Sequence, residues 1–128
     1  MERMNKELKE LTKAEDQVMQ ILWKLEKAFV KDILAEFPDP KPAYNTVSTI
    51  VRILEKKNFV MYKAYGKTHE YFPIVPKSEY SKFYLNNFVG SYFEGSFKNL
   101  VSFFAKQNDM NISEVEELMK HVEKDIKN

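Results

Sequence analysis

The side chains best suited to recognition chemistry lie between Ala43 and Phe59. In this stretch hydroxyl, amide and guanidinium groups accompany lysines, and Glu55 is the only carboxylate. Such groups form hydrogen bonds with base edges and phosphates in the major groove of DNA. The expected DNA-binding residues, here and in the flanking segments, are Lys41, Tyr44, Asn45, Thr46, Ser48, Thr49, Arg52, Lys56, Lys63 and Lys67.

Positive charge is concentrated in the same part of the chain. The formal net charge is +1 over 128 residues, yet six cations and one carboxylate lie between Lys41 and Lys67. A local basic patch on a nearly neutral chain favours a selective nucleic-acid binder over a general polycationic coat.

Catalysis and metal binding have little support in the sequence. The chain has no Cys, which excludes disulfides, thiolate metal sites and cysteine nucleophiles. His69 and His121 are far apart and lack metal-binding or catalytic spacing. We therefore expect no enzymatic activity, no metal and no other cofactor.

The chain also lacks the features of a membrane or secreted protein. No uninterrupted apolar run approaches the ~20 residues of a membrane-spanning helix. The start, MERMNKELKE, has charges where a signal peptide has its apolar region. We therefore expect a cytoplasmic protein without membrane insertion.

A helix must present the polar groups between Ala43 and Phe59. Its apolar residues recur at helical spacing and predict one stripe facing a core. The stripe consists of Val47, Ile50, Val51 and Leu54. Pro42 precedes this helix, and Asn58 is a suitable C-terminal cap. Three prolines in residues 38–42 separate it from whatever precedes.

Two further helices and a short strand are predicted before the prolines. Thr12 and Glu15 have the spacing of a capping box. The helix that follows has the apolar positions Val18, Ile21, Leu22 and Leu25. Residues 28–30 are consistent with a stub of strand, and residues 31–37 predict a shorter second helix.

After Phe59 the apolar period changes from 3.6 to about 2. This pattern predicts strands at residues 59–64 and 69–74, joined by residues 65–68, where Gly66 permits a positive φ. Helix, turn, polar helix and a hairpin with a basic tip form a winged helix, so we expect a mainly α fold. Residues 1–75 would be the winged-helix DNA-binding domain.

The rest of the chain is rich in aromatic residues. Half of the 18 aromatics lie between Tyr80 and Phe104, and the apolar spacing predicts three helices, the last with a capping box from Ser113 to Glu116. Helices this short cannot bury their apolar faces alone, so we predict a dimerisation domain at residues 76–128. Aromatics at helical spacing are more often core than ligand cage. The expected dimerisation residues are Tyr84, Phe88, Phe97, Leu100, Val101, Phe104, Val115, Leu118, Met119 and Val122.

Four segments in order resemble the penicillinase-repressor family of bacterial transcription regulators. They are LTKAEDQVMQILW, NTVSTIVRILEKKNFV, HEYFPI and FKNLVSFFAKQNDMNISEVEEL, and the resemblance spans residues 11–126. It implies a homodimeric repressor whose winged helices bind a palindromic operator and control β-lactam resistance or related genes. It also implies release from DNA after cleavage in the dimerisation region, initiated by a membrane sensor protease.

The sequence departs from the family pattern at several positions. Ser48 and Ile53 stand where resistance repressors commonly have basic residues, so we expect a different operator sequence. The bond cleaved in those repressors, usually Asn-Phe, aligns with Phe103 and Phe104, which form the candidate proteolysis site. The copper-responsive branch has a Cys-rich tail, which this chain lacks.

A winged helix that contacts protein instead of DNA is the alternative hypothesis. A steep fall of duplex affinity with rising salt would separate the two, because phosphate contacts release counterions.

Overall fold

The computed structural model describes residues 8–127. The elements in chain order are α1 (Lys13–Leu25), β1 (Ala28–Phe29), α2 (Val30–Ala35), α3 (Tyr44–Lys56), β2 (Val60–Tyr65), β3 (Thr68–Pro73), α4 (Lys77–Tyr92), α5 (Phe97–Gln107) and α6 (Ile112–Lys127). The chain divides into two compact units, one ending at Tyr84 and the other beginning at Leu85, so the division lies inside α4.

Helix α1 begins at the predicted capping box. Thr12 Oγ1 accepts a hydrogen bond from the Glu15 N–H at 3.2 Å, and Glu15 Oε1 accepts one from the Thr12 N–H at 3.0 Å. These bonds satisfy two N–H groups that would otherwise lack partners at the helix start. The helix then buries Val18, Met19 and Leu22 completely.

Helix α3 follows the proline-rich segment and buries the predicted stripe. Val47, Val51 and Leu54 are fully buried, and Ile50 is half-buried against the same core. Asn58 has a φ of 64°, a left-handed conformation that asparagine tolerates better than most residues. The C-cap residue is Lys57, so the predicted cap, Asn58, lies one residue further along, at the left-handed position that commonly follows a helix end.

The three strands form one antiparallel sheet in the order β1-β3-β2. Tyr65 pairs with Thr68, so the hairpin turns on two residues, Gly66 and Lys67, where the sequence suggested four. Gly66 has a φ of 65°, which a residue without Cβ adopts at no steric cost. The β2-β3 hairpin, called the wing from here on, follows three helices and confirms the predicted winged helix.

The first turn of α4 completes the core of the first unit. Tyr80 is buried, and its ring centroid lies 5.7 Å from that of Phe59 and 6.1 Å from that of Trp23. The Leu11 N–H donates to Tyr80 Oη at 2.9 Å, and Trp23 Nε1 donates to the Val75 carbonyl at 2.8 Å. Every polar group that these aromatics bring inside therefore has a partner, as burial requires.

The second unit consists of the end of α4 together with α5 and α6. Ser96 caps α5 by accepting from the Asn99 N–H at 3.1 Å. The predicted Ser113–Glu116 capping box is wrong, because Asn111 and Glu114 form that box two residues earlier. Both pairs have the required spacing, and an Asn side chain accepts a helix N–H as well as Ser does.

A partly buried ion pair connects the start of α1 to the end of α3. Lys57 Nζ lies 2.7 Å from Glu15 Oε1, and the Glu15 residue is only 5% exposed. Burial alone would raise the pKa of Glu15. Hydrogen bonds from Lys57 and Thr12, together with the Lys57 charge, outweigh that effect and lower the pKa below its ordinary value of 4.5.

Replacing Glu15 with glutamine is expected to destabilise the fold by about 1 to 3 kcal/mol near pH 7, because it leaves the Lys57 ammonium without a carboxylate partner. Since the folded-state pKa of Glu15 is lowered, the stabilisation exists above the ordinary value of 4.5 and is lost as the pH falls through the folded-state pKa. Urea denaturation at a series of pH values should show that the free energies of unfolding of the unmodified chain and of Glu15→Gln converge in acid. An equal difference at all pH values would contradict this role.

Candidate nucleic-acid interface

A groove of about 530 Å³ lies in the first unit between α3, the wing and the β1-α2 junction. We call it the wing groove. Its lining residues are Phe29, Val30, Lys31, Tyr44, Ser48, Arg52, Lys67, Thr68, His69 and Tyr71. Three of these side chains are cations, and no carboxylate is among them, so the groove presents positive charge to whatever enters it.

Helix α3 forms one wall through Tyr44, Ser48 and Arg52, which recur every fourth residue and so lie on one side of the helix. Arg52 Nε donates to the Ser48 carbonyl at 3.4 Å, and Arg52 Nη2 donates to Ser48 Oγ at 3.3 Å. These long bonds draw the guanidinium along the helix towards Ser48. Its remaining N–H groups can donate to an anion in the groove.

The wing forms the second wall. Lys67 occupies the turn, and His69 stacks on Tyr62 with ring centroids 4.0 Å apart and an interplanar angle of 6°. Burial, followed by the charge of Glu55, raises the pKa of Tyr71 above its ordinary value of 10.0. The Tyr71 phenol is therefore uncharged at neutral pH and adds no negative charge to the groove.

The β1-α2 junction forms the third wall through Phe29, Val30 and Lys31. Antiparallel pairing of Ala28 with Tyr71 brings this junction beside the wing. Lys31, Thr68 and His69 also line the groove and were not among the predicted DNA-binding residues. The long-range strand pairing that places Lys31 has no local signal, whereas Thr68 and His69 directly follow a predicted contact, Lys67, and could have been included.

The structure brings together four of the ten predicted DNA-binding residues, Tyr44, Ser48, Arg52 and Lys67, in the wing groove. Four others are exposed on α3 outside it, namely Asn45, Thr46, Thr49 and Lys56. The first turn of α3 holds no acidic residue, and its N-cap, Ala43, makes no side-chain bond. No carboxylate of the first turn therefore neutralises the positive end of the helix dipole.

The remaining two predicted residues have neighbours of their own. Lys63 extends from β2 over the Tyr65 ring, 5.3 Å from its centroid, and does not line the wing groove. Lys41 Nζ donates to the carbonyls of Ala35 and Phe37, the first at 3.0 Å. Its ammonium thus satisfies one backbone acceptor in the last residue of α2 and one just after that helix, which is a structural role in addition to any contact with DNA.

The predicted dimerisation residues lie on α4, α5 and α6 and are incompletely covered. Seven are exposed, Tyr84, Phe97, Val101, Phe104, Leu118, Met119 and Val122, and three are half-buried, Phe88, Leu100 and Val115. Of the described residues from Leu85 onward, Val89 alone among the apolar ones is buried. Phe103 and Phe104, the candidate proteolysis site, lie within α5 and are each 52% exposed.

Within residues 8–127, none of the helices combines the length and the apolar character that crossing a bilayer requires.

Three helices, a β-hairpin wing and a cationic groove beside an exposed polar helix face define a winged-helix protein of the DNA-binding class. The sequence model of the penicillinase-repressor family matches residues 11–124. The chain belongs to this family, whose members are transcriptional repressors and not enzymes.

Relatives of known name cover almost the whole chain. The methicillin resistance regulatory protein MecI of Staphylococcus aureus strain N315 is 30% identical over 116 residues, which are 90% of this chain and 94% of that protein. The penicillinase repressor of Bacillus licheniformis is 22% identical over 119 residues, covering 92% and 93% of the two chains. The solution structure of the DNA-binding domain of the repressor BlaI matches with a TM-score of 0.50 and 22% identity, over 62% of this chain and 94% of that one. This last likeness bears on the fold alone.

Proposed function

We propose that this chain is a homodimeric repressor that binds a palindromic operator in the cytoplasm and controls β-lactam resistance or related genes. The observation that carries the proposal is the wing groove, where Arg52 of α3 and Lys67 of the wing line one concave surface without a carboxylate. A polar helix beside a basic hairpin suits duplex DNA, because the helix can enter the major groove while the wing contacts the backbone. The relation to the methicillin resistance regulatory protein supports the choice of genes.

The apolar surface of the second unit supports the proposed dimer. Leu118, Met119 and Val122 lie on one side of α6 and are exposed in the single chain, and no residue of α5 is buried. A second copy of the chain would cover these stripes in a symmetric interface. We accordingly assign DNA binding to residues 1–75 and dimerisation to residues 76–128, although the first turn of α4, in the second range, packs against the core of the first unit through Tyr80.

A dimer has two winged helices and can therefore bind the two half-sites of a palindromic operator. Each winged helix would bind one half of a palindrome, and the dimer would bind both with the gain of a tethered second contact. Cleavage between Phe103 and Phe104 after activation of a membrane sensor protease would remove part of α5 and all of α6, and with them the tether. Since both residues lie inside a helix, the protease would need local unfolding of α5 to reach the bond.

The proposal is tested by the affinity of the full chain for duplex DNA as a function of salt. Fluorescence anisotropy with a duplex from the upstream region of its own gene, and with a random duplex of equal length, supplies both affinities. A steep linear fall of log affinity with log salt is expected, because several phosphate contacts release counterions. Weak binding without that dependence would instead support the protein-contact alternative.

Replacing Arg52 with alanine is expected to weaken operator binding by about 1 to 3 kcal/mol and to leave the unfolding midpoint unchanged, because the side chain is exposed. Unchanged affinity in Arg52→Ala would remove this residue from the interface.

Replacing Lys67 with alanine should weaken the binding of operator and random duplex equally and reduce the salt slope by about one, as expected for a phosphate contact. A loss confined to the operator in Lys67→Ala would indicate base or groove-shape reading by the wing.

A further inference from the structure

We propose that the wing groove holds the sugar-phosphate backbone of DNA from three sides, with Lys31 as the third phosphate contact, and that base reading falls to α3 residues outside the groove. This inference rests on the proposed DNA-binding function and assigns separate tasks to two parts of the same surface. It adds a residue, Lys31, that neither helix α3 nor the wing contributes.

The convergence of three cations from three separate elements supports a shared anionic occupant. Lys31 follows β1, Arg52 lies on α3 and Lys67 lies in the turn of the wing, yet all three line one groove. Like charges gathered around a concavity repel one another, and no carboxylate lines the groove itself, although Glu55 acts on Tyr71 and Asp32 accepts from the Phe29 N–H. An anion entering the groove would be attracted by all three at once.

The shape and chemistry of the groove favour contact with the sugar-phosphate backbone of DNA over contact with base edges. Both lysines are exposed and carry an ammonium on a flexible stem, which suits a phosphate oxygen as a point charge better than the patterned edge of a base. Arg52 is drawn along α3 by its two bonds to Ser48, so its guanidinium lies beside the helix as part of the groove wall. Bidentate contact with guanine would require an arginine extended away from its helix.

The exposed residues outside the groove have the chemistry for reading bases. Asn45 and Thr46 lie in the first turn of α3, exposed and outside the wing groove. An asparagine amide offers one acceptor and two donors, the combination that pairs with adenine in the major groove. Asn45 lies about two turns before Arg52 on α3, so base reading and phosphate contact are assigned to different turns of the same helix.

The experiment compares Lys31→Ala with Lys27→Ala and Asn45→Ala in the full chain, each with operator and random duplex across a salt series. Lys27 is the matched control, since it is an exposed lysine of the same unit, four residues away and outside the groove. Lys31→Ala should lower both affinities by the same factor, about threefold to tenfold, and reduce the salt slope by about one. Asn45→Ala should lower operator affinity alone and leave the salt slope unchanged.

The outcomes separate this inference from the proposed function. If the unmodified chain binds DNA with a steep salt slope but Lys31→Ala behaves like Lys27→Ala, the third phosphate contact is refuted while the proposed function stands. A loss in Lys31→Ala confined to the operator would refute the division between backbone and base contacts. If the unmodified chain shows no salt-dependent binding, the proposed function itself fails. Equal thermal unfolding midpoints for all variants would establish that none of these effects arises from misfolding.

Discussion

Replacing Leu118 with aspartate is expected to convert a dimer into a monomer or an aggregate and to lower operator affinity by ~10²-fold or more. Leu118 is 41% exposed in the single chain and lies on the apolar stripe of α6 with Met119 and Val122. A carboxylate there would be left unpaired in an apolar interface, which costs several kcal/mol. Sedimentation equilibrium gives the mass, and anisotropy with the operator gives the affinity.

Ser113→Asp is the matched control, because it adds the same charge to α6 at an exposed position opposite the stripe. This variant should remain dimeric and bind the operator normally. A fragment of residues 1–103 should behave like Leu118→Asp although every predicted DNA contact is intact. Either a monomeric unmodified chain or a fragment that dimerises and binds as tightly as the full chain would contradict the proposed role of the second unit.

Replacing Leu54 with alanine is expected to destabilise the fold by about 2 to 5 kcal/mol, the range for a buried large-to-small change. Leu54 is 0% exposed and belongs to the core formed by α1, α2 and α3. Its loss would leave a cavity in a tightly packed interior that relaxes only partly. Urea denaturation at one fixed protein concentration measures the change, since the stability of the proposed dimer would depend on concentration.

Ile53→Ala on the same helix is the matched control. Ile53 is the preceding residue of α3 but is 38% exposed, so its truncation should change the free energy of unfolding by about 0.5 kcal/mol or less. Alanine forms helix better than leucine or isoleucine, so a similar loss in both variants would mean that Ile53 is buried as well and would contradict this orientation of α3. The comparison therefore tests the orientation of α3, on which the exposure of Asn45 and Arg52 depends.

The local elements of the fold could be predicted because their signals are short-range. The capping box at Thr12, the left-handed Asn58 and the stripe from Val47 to Leu54 each depend on residues within two turns of one another. The last helix shows where such reasoning fails. Asn111 with Glu114 and Ser113 with Glu116 both have the spacing of a capping box, and no local feature of the sequence showed that the first pair forms it.

The functional surface was only partly predictable because it depends on contacts between residues that are far apart in the sequence. Arg52 and Lys67 were expected from their polar helix and hairpin turn, but their shared groove depends on how the wing packs beside α3. Lys31 enters that groove through the pairing of β1 with β3, which joins residues 43 positions apart, Ala28 and Tyr71. Lys41 was predicted as a DNA contact because of its charge, but the structure shows that it also donates to two backbone carbonyls.

The burial of Tyr80 has a practical consequence for isolating the winged helix as a separate fragment. A fragment that ends at residue 75 would lack the ring that packs against Phe59 and Trp23 and the hydroxyl that accepts from the Leu11 N–H. Losing such an aromatic from a core typically costs about 3 to 5 kcal/mol, a large part of the stability of a small domain. A fragment extended through Tyr84 retains these contacts, so the shortest soluble piece suited to spectroscopy on DNA should include the first two turns of α4.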